Sequence, residues 1–232
     1  MGADLETLAA IELFAGIGDA AIARISRQCA WLHLQPGKQV LQTDEPSADI
    51  FFIAKGVVTV NHFSSSGREV TYASIREGGF FGEFSAIDGA PRSANVITET
   101  EAVIARLSPS IFRSILMDFP KVTLRLCEHL VAKNRDLTGR VYEFSAFSVP
   151  HRIQLEILRL CDRGKTEGNR CTINPAPTHY EIATRTSTHR EAVSRELSQL
   201  AQQGILEVGR RAIVVADLKR LRSMVDEFRD EV

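Results

Sequence analysis

No stretch of this chain reaches the roughly 18 consecutive apolar residues that a membrane-spanning helix needs. Its first residues, Met1-Gly2-Ala3-Asp4, also lack the basic-then-apolar layout of a secretory leader. Both absences lead to the expectation of a cytoplasmic protein. The four cysteines, Cys29, Cys127, Cys161 and Cys171, are scattered without CxxC spacing. That argues against a disulfide framework and against an iron–sulfur or zinc site. Histidines are no more suggestive: His33 and His62 have no ligand partner at metal spacing, and His129, His151, His179 and His189 fall within or at the start of helical patterns, so no metal is assigned. A dominant charge sign is missing too. Residues 148–232 carry 14 Lys and Arg against 12 Asp and Glu, residues 1–147 carry 14 against 17, and the whole chain stands at −1. So small an asymmetry does not by itself argue for nucleic acid. What remains, 44% hydrophobic and 25% charged over 232 residues, is the composition of a globular protein long enough for two modest domains.

The patterning changes twice along the chain. Leu5, Leu8, Ala9, Ile11, Leu13, Ile17, Ile22 and Ile25 have helical spacing and predict short N-terminal helices. From Trp31 to Leu107, β-rich runs such as Ile50–Ile53, Val57–His62 and Val70–Ile75 alternate with turns at Pro36-Gly37, Lys55-Gly56, Ser64–Gly67 and Asp88–Pro91. They predict a compact β-roll with no helix of normal length. Ser108-Pro109 reads as a helix start, and Pro120 opens a much longer helix. Along that helix Cys127, Asn134 and Val141 form one seven-residue series, and Thr123, Leu130, Leu137 and Phe144 form a second, offset as a and d positions. The pattern fits a dimer seam, and equally a helix packed on its own roll. At Ser145–Pro150 the helical pattern stops, because proline lacks an N–H and biases the preceding residue away from helix. The predicted domains are therefore 1–147, with the candidate dimerisation helix at about 120–145, and 148–232. The fold class is α+β: a β-roll, a long helix and a C-terminal helical domain.

The second domain opens with an amphipathic helix (Ile153, Leu155, Ile157, Leu158, Leu160), a polar loop over Asp162–Asn169 and a strand at Cys171–Ile173. Thr178-His-Tyr-Glu181 and Thr188-His-Arg-Glu191 both have the form of a capping box, ten residues apart, which is helix-turn-helix spacing. On the second helix, from about His189 to Gln202, Arg190, Glu191, Ser194, Arg195 and Ser198 gather on one face, while Ala192, Val193, Leu197 and Leu200 gather on the other. Ile205–Val208 and Ala212–Val215 flank Gly209-Arg210-Arg211 as a hairpin with a basic tip, and this completes a winged helix. Its chemistry suits DNA: arginine offers a planar fork to guanine, a carboxylate accepts from the amino group of cytosine, and hairpin arginines meet phosphates. A solvated helix face remains the plainer alternative. Past the wing, Leu218, Leu221, Val225 and Phe228 predict one further helix, with Lys219, Arg220, Arg222 and Arg229 on its other sides.

In the β-roll, Gly78 to Asn95 is unusual. Glycines flank a lone Glu83, and Arg92-Ser93 follows nine residues later. Such a segment can cradle a phosphate, with backbone N–H groups, Arg92 and the Ser93 hydroxyl as donors and Glu83 accepting from a sugar hydroxyl. An ordinary surface turn carrying an Arg–Glu pair has the same composition.

Phe-Gly82-Glu83-Phe84-Ser85 followed by Pro-Arg92-Ser93-Ala94 resembles the phosphate-binding cassette of cyclic-nucleotide-binding domains. Thr188-His189-Arg190-Glu191-Ala-Val-Ser194-Arg195 resembles the recognition helix of the CRP/FNR transcription regulators, on the side of the cyclic-AMP receptor branch. Roll, long helix and winged helix occur in that family's order across almost the whole chain. The resemblance implies that Glu83 accepts from the ribose 2′-hydroxyl, that Gly82 lets the backbone come close, and that Arg92 and Ser93 hold the cyclic phosphate. It also implies that Arg190, Glu191 and Arg195 read a TGTGA-like half-site, that the working unit is a homodimer on double-stranded DNA, and that RNA polymerase is a partner. Where the cyclic-AMP branch has two adjacent hydroxyl residues facing the purine, this chain has Leu137-Thr138. The effector implied is thus cyclic AMP, with cyclic GMP also admitted. The N-terminal cysteine cluster of the oxygen-sensing branch is absent. Two alternatives are set beside this reading: a regulator of the same fold that ignores nucleotides or senses another small effector, and a cupin-type β-roll enzyme, which the dispersed His33 and His62 disfavour.

Overall fold

The computed structural model describes residues 8–63, 69–162, 164–209 and 211–230. Leu5, the Ser64–Gly67 turn and Arg210 lie outside the described residues, as do the side chains of Phe228 and Arg229. The chain divides into two compact units, residues 1–133 and 134–232. That division falls inside the long helix, upstream of the 147/148 boundary expected from Pro150.

Among the described residues, a 3-10 turn (Glu12–Phe14) and α1 (Asp19–Ser26) lie ahead of the strands of the first unit. Among the described residues, β1 (Ala30–Leu34), β3 (Ile50–Lys55), β6 (Phe80–Phe81) and β8 (Ala102–Leu107) form one antiparallel sheet in the order β1-β8-β3-β6. The other sheet, in the order β2-β7-β4-β5, contains β2 (Gln39–Leu41), β4 (Val57–Phe63), β5 (Glu69–Arg76) and β7 (Asn95–Thr98). Side-chain alternation explains the layering. Along β3, Ile50 and Phe52 enter a cluster with Leu8, Phe14, Ile25 and Phe112 under the helices, whereas Phe51 and Ile53 enter a second cluster between the sheets with Val58, Val96 and Ile104. A strand buried on both faces reads as a continuous apolar run, as Ile-Phe-Phe-Ile does. Burying each such side chain contributes about 1.5–3 kcal/mol.

The glycine-rich segment contains a short helix, α2 (Glu83–Asp88), where the sequence reading expected a loop. Gly82 and Gly89 bracket it at φ of 84° and 76°. Between these two left-handed residues, Glu-Phe-Ser-Ala-Ile-Asp has no residue that breaks a helix, so a turn and a half forms. Ser108 and Pro109 begin α3 (Pro109–Asp118) at the N-cap and first-turn positions, as expected, and α4 (Pro120–Ala146) follows directly.

The second unit comprises the later part of α4, then α5 (Val149–Cys161), β9 (Lys165–Glu167), β10 (Arg170–Ile173), α6 (His179–Arg185), α7 (Arg190–Gln202), β11 (Leu206–Val208), β12 (Ile213–Val215) and α8 (Leu218–Asp230). Its sheet runs β11-β12-β10-β9. Ile157, Ile182, Val193, Leu197, Leu200, Ile213 and Leu221 share one core. Three local expectations change. Pro150 sits in the first turn of α5, where its missing N–H has no helical partner to lose, and the break falls on Phe147–Ser148. The polar loop contains β9, whose Glu167 pairs in register with Arg170 of β10. Of the two capping boxes only Thr178…Glu181 forms. At α7 the cap position is His189, with no side-chain cap hydrogen bond, because Thr188 lies buried in the turn and its N–H reaches back to the Ala183 carbonyl.

Candidate effector cleft and nucleic-acid interface

The cassette residues Gly82, Glu83, Phe84, Ser85, Arg92, Ser93 and Ala94 all line one solvent-open cleft in the first unit. Leu41, Val60, Ile75, Phe81 and Val96 form its apolar wall, and Lys133 completes it. An apolar cleft with a few convergent polar groups is the usual form of a small-molecule site.

Arg92 is buried (2% exposed) and is held by neutral acceptors only: Nε donates to Ser47 Oγ at 2.9 Å, Nη1 to the Gly82 carbonyl at 3.2 Å, and Nη2 to the Asp49 carbonyl at 2.8 Å. Its guanidinium lies 5.7 Å from the centre of the Phe51 ring. Burial lowers its pKa, while Asp49, Glu45 and Glu83 oppose that shift. The group still stays charged, since arginine does not deprotonate in proteins. These bonds use three of its five N–H donors. Gly82 is required twice over. Its φ is positive, and a Cβ there would stand 2.9 Å from Arg92 Nη1 and 2.9 Å from the Asp49 carbonyl oxygen.

Glu83 is equally buried, and Lys133 Nζ lies 2.9 Å from its Oε1. The same ammonium stands 4.4 Å over the Phe84 ring. Sequence reasoning missed Lys133, which lies 50 residues from Glu83, and also missed Ser47 and Asp49. Lys133 follows His129 by one turn of α4, the one signal available along the chain. His129 itself packs against Phe80, ring centroids 4.5 Å apart. Leu137 and Thr138 belong to the second unit, beyond Lys133 along α4; both are exposed, and Thr138 Oγ1 donates back to the Asn134 carbonyl at 2.9 Å.

On α7, His189, Arg190, Glu191 and Arg195 are exposed, and the last three make no side-chain hydrogen bond or ion pair among the described residues. Arg211 is exposed at the wing. Thr188 is buried, and Ser194 is engaged with His179 Nδ1 at 2.7 Å, bracing α7 on α6. The buried side of α7 carries an acid that sequence reasoning missed: Glu196 Oε1 accepts from Gln154 Nε2 at 2.6 Å. A buried carboxylate needs such a donor.

A roll with a polar-ended cleft, a long helix and a winged helix with a bare cationic reading face together define a one-chain sensor and DNA-binding regulator. The chain belongs to the CRP/FNR family of transcription regulators: residues 31–119 match the cyclic nucleotide-binding domain and residues 151–224 match the Crp-like helix-turn-helix domain. It is a regulator and not an enzyme. Among its relatives, the CRP-like cAMP-activated global transcriptional regulator of Mycobacterium tuberculosis is 27% identical over 217 residues, 93% of this chain and 97% of that one. The cAMP-activated global transcriptional regulator Vfr of Pseudomonas aeruginosa is 28% identical over 170 residues, 72% and 79% of the two chains. In fold it is similar to the c-di-GMP responsive global regulator CLP of Xanthomonas campestris, with a TM-score of 0.75 at 18% identity over 85% of this chain and 99% of that one. It is also similar to a CooA mutant from Carboxydothermus hydrogenoformans, with a TM-score of 0.76 at 19% identity, covering 86% and 88%. No helix among the described residues is long and apolar enough to cross a membrane.

Proposed function

We propose that this protein is a homodimeric, cytoplasmic transcription regulator switched on by a cyclic mononucleotide, cyclic AMP with cyclic GMP also admitted. Sensing is assigned to residues 1–147 and DNA reading to 148–232. The observation that carries this reading is Arg92, a buried cation braced by three neutral acceptors with two N–H groups left over, at the polar end of a cleft whose remaining wall is apolar. A cyclic phosphate supplies the missing anion, a ribose hydroxyl meets Glu83, and a purine covers Leu41, Val60 and Ile75. Dimerisation is supported by exposed Leu124, Val131, Leu137, Val141 and Phe144 on α4, which a second copy would cover. Half-buried Thr123 and Leu130 pack on their own unit, so the seam is carried by the later residues. Two recognition helices spaced about 34 Å apart would read a palindromic TGTGA-type operator through Arg190, Glu191 and Arg195. The activated dimer would recruit RNA polymerase. Gating works as a population shift: about hundredfold activation needs roughly 2.7 kcal/mol of preference for the DNA-competent state.

A second reading, the same regulator with a different anionic effector, is favoured by Lys133, which gives the cleft a second cation. The test is fluorescence anisotropy on a duplex carrying TGTGA-N6-TCACA and on a scrambled one, at fixed salt, without nucleotide and with cyclic AMP or cyclic GMP. Tightening on the palindrome alone supports cyclic-nucleotide gating. Equal binding in all three conditions removes the nucleotide and leaves the second reading.

A further inference from the structure

Within the second unit, the last turns of α4 meet the DNA-reading head across a connection of only two residues, Phe147 and Ser148. Both sides of that connection are tied. On the apolar side Phe147 is buried with Leu155 of α5 and Val225 of α8, and Tyr142 meets the Phe147 ring edge-on at 5.6 Å. On the polar side four charges alternate in sign across three helices. Arg159 of α5 is ion-paired and hydrogen-bonded through Nη2 to Glu143 Oε1 of α4. Its Nη1 lies 3.8 Å from Glu156 Oε2, and Glu156 Oε1 lies 3.4 Å from Arg185 Nη1 on α6, the first helix of the helix-turn-helix.

We propose that Glu143, Arg159, Glu156 and Arg185 act as a clasp that sets the angle of the reading head on the long helix, so that a change in that helix becomes a change in operator affinity. The inference rests on the gated-regulator reading above. These are not ordinary surface pairs: the Glu156 side chain is 6% exposed and that of Glu143 10%. At that burial a carboxylate that loses its partner is left uncompensated, so the arrangement tolerates one geometry and resists intermediate ones. Ion pairs also have direction, which apolar packing lacks. The Phe147 cluster holds the helices together, and the charges decide at what rotation. Arg159 is the central element, since it alone touches carboxylates from both α4 and α5. All four act as positioning residues.

The test compares wild type, Glu143→Gln, Arg159→Gln and the double variant in the full-length protein. For each, the ratio of palindrome affinity with cyclic AMP to that without is measured alongside nucleotide affinity and Tm. The expected result is a ratio reduced about tenfold in each single variant, with nucleotide affinity within twofold of wild type. The double variant should be no worse than the worse single, because both break the same link. A purely structural role would lower Tm and leave the ratio alone, and that result overturns the clasp, as does a double variant whose effects multiply. The double variant leaves no unpaired charge at the α4 contact, so it carries the test if Glu143→Gln fails to fold. If wild type itself ignores cyclic nucleotide, the gating reading falls separately. The clasp is then judged on operator affinity alone: about tenfold weaker palindrome binding by Glu143→Gln sustains it, and unchanged binding overturns it.

Discussion

The cleft of the first unit and α7 of the second both present arginine, and they hold it in opposite ways. Arg92 is buried, fixed at three atoms by Ser47, Gly82 and Asp49, and lines the cleft. Arg190 and Arg195 are exposed and unengaged among the described residues, projecting from a helix whose opposite side is locked by Val193, Leu197 and Leu200. A small anion is bound in a pocket, so pre-organised donors add affinity by removing the cost of ordering. A duplex is read along a groove, where side chains must extend and where long-range charge, weakened by salt, supplies much of the attraction. On the proposed sensing side the charge is therefore fixed in advance, while on the proposed reading side it is left free.

The sharpest way to break the comparison is Arg92→Ala. Losing a buried, hydrogen-bonded charge partner costs about 2–5 kcal/mol, so nucleotide affinity by calorimetry should fall at least thirtyfold while the preferred operator sequence is unchanged. Arg190→Ala should do the reverse at smaller cost. About 1–3 kcal/mol of discrimination at one base position should disappear in anisotropy titrations of mismatched duplexes, with nucleotide binding intact. Arg92→Ala losing operator choice, or Arg190→Ala losing nucleotide, would erase the division between the units. Thr178→Ala removes the one capping box that forms and should lower stability by about 1 kcal/mol, read as a lower urea midpoint at unchanged m-value.

The smallest effect concerns acid. Burial lowers the pKa of His129 below the ordinary 6.5; Lys133 adds to this, while Glu83 and Glu12 oppose it. The unfolded chain therefore takes up the proton first, so the stability associated with neutral His129 is full above about pH 6.5 and declines as pH falls through the lower folded value. His129→Gln should flatten Tm against pH between 7 and 5. An unchanged slope would show that other groups set the acid response.

Much of both sites was legible along the chain because it is local. Gly82, Glu83, Arg92 and Ser93 lie within a dozen residues, Ser108-Pro109 and Thr178…Glu181 announce helices through their own side chains, and the apolar faces of α5 and α7 follow from periodicity. What escaped is non-local or turns on a single backbone choice. Nothing near Glu83 in sequence points to Lys133, and nothing near Arg92 points to Ser47 or Asp49. Glu196 went unnoticed because only packing brings Gln154 to it in the interior. Pro150 was read as a breaker although the first turn of a helix accepts proline, and the second capping motif lost its role because Thr188 was needed in the turn.

By itself, then, the sequence determined the order of roll, long helix and winged helix and the family, since spacing, capping and motif are written in neighbouring residues. Only the tertiary structure decided which charges face each other. Lys133 with Glu83, and Arg159 between Glu143 and Glu156, are brought together by helix packing across tens of residues or around a two-residue bend, and buried charge takes whichever partner that packing delivers.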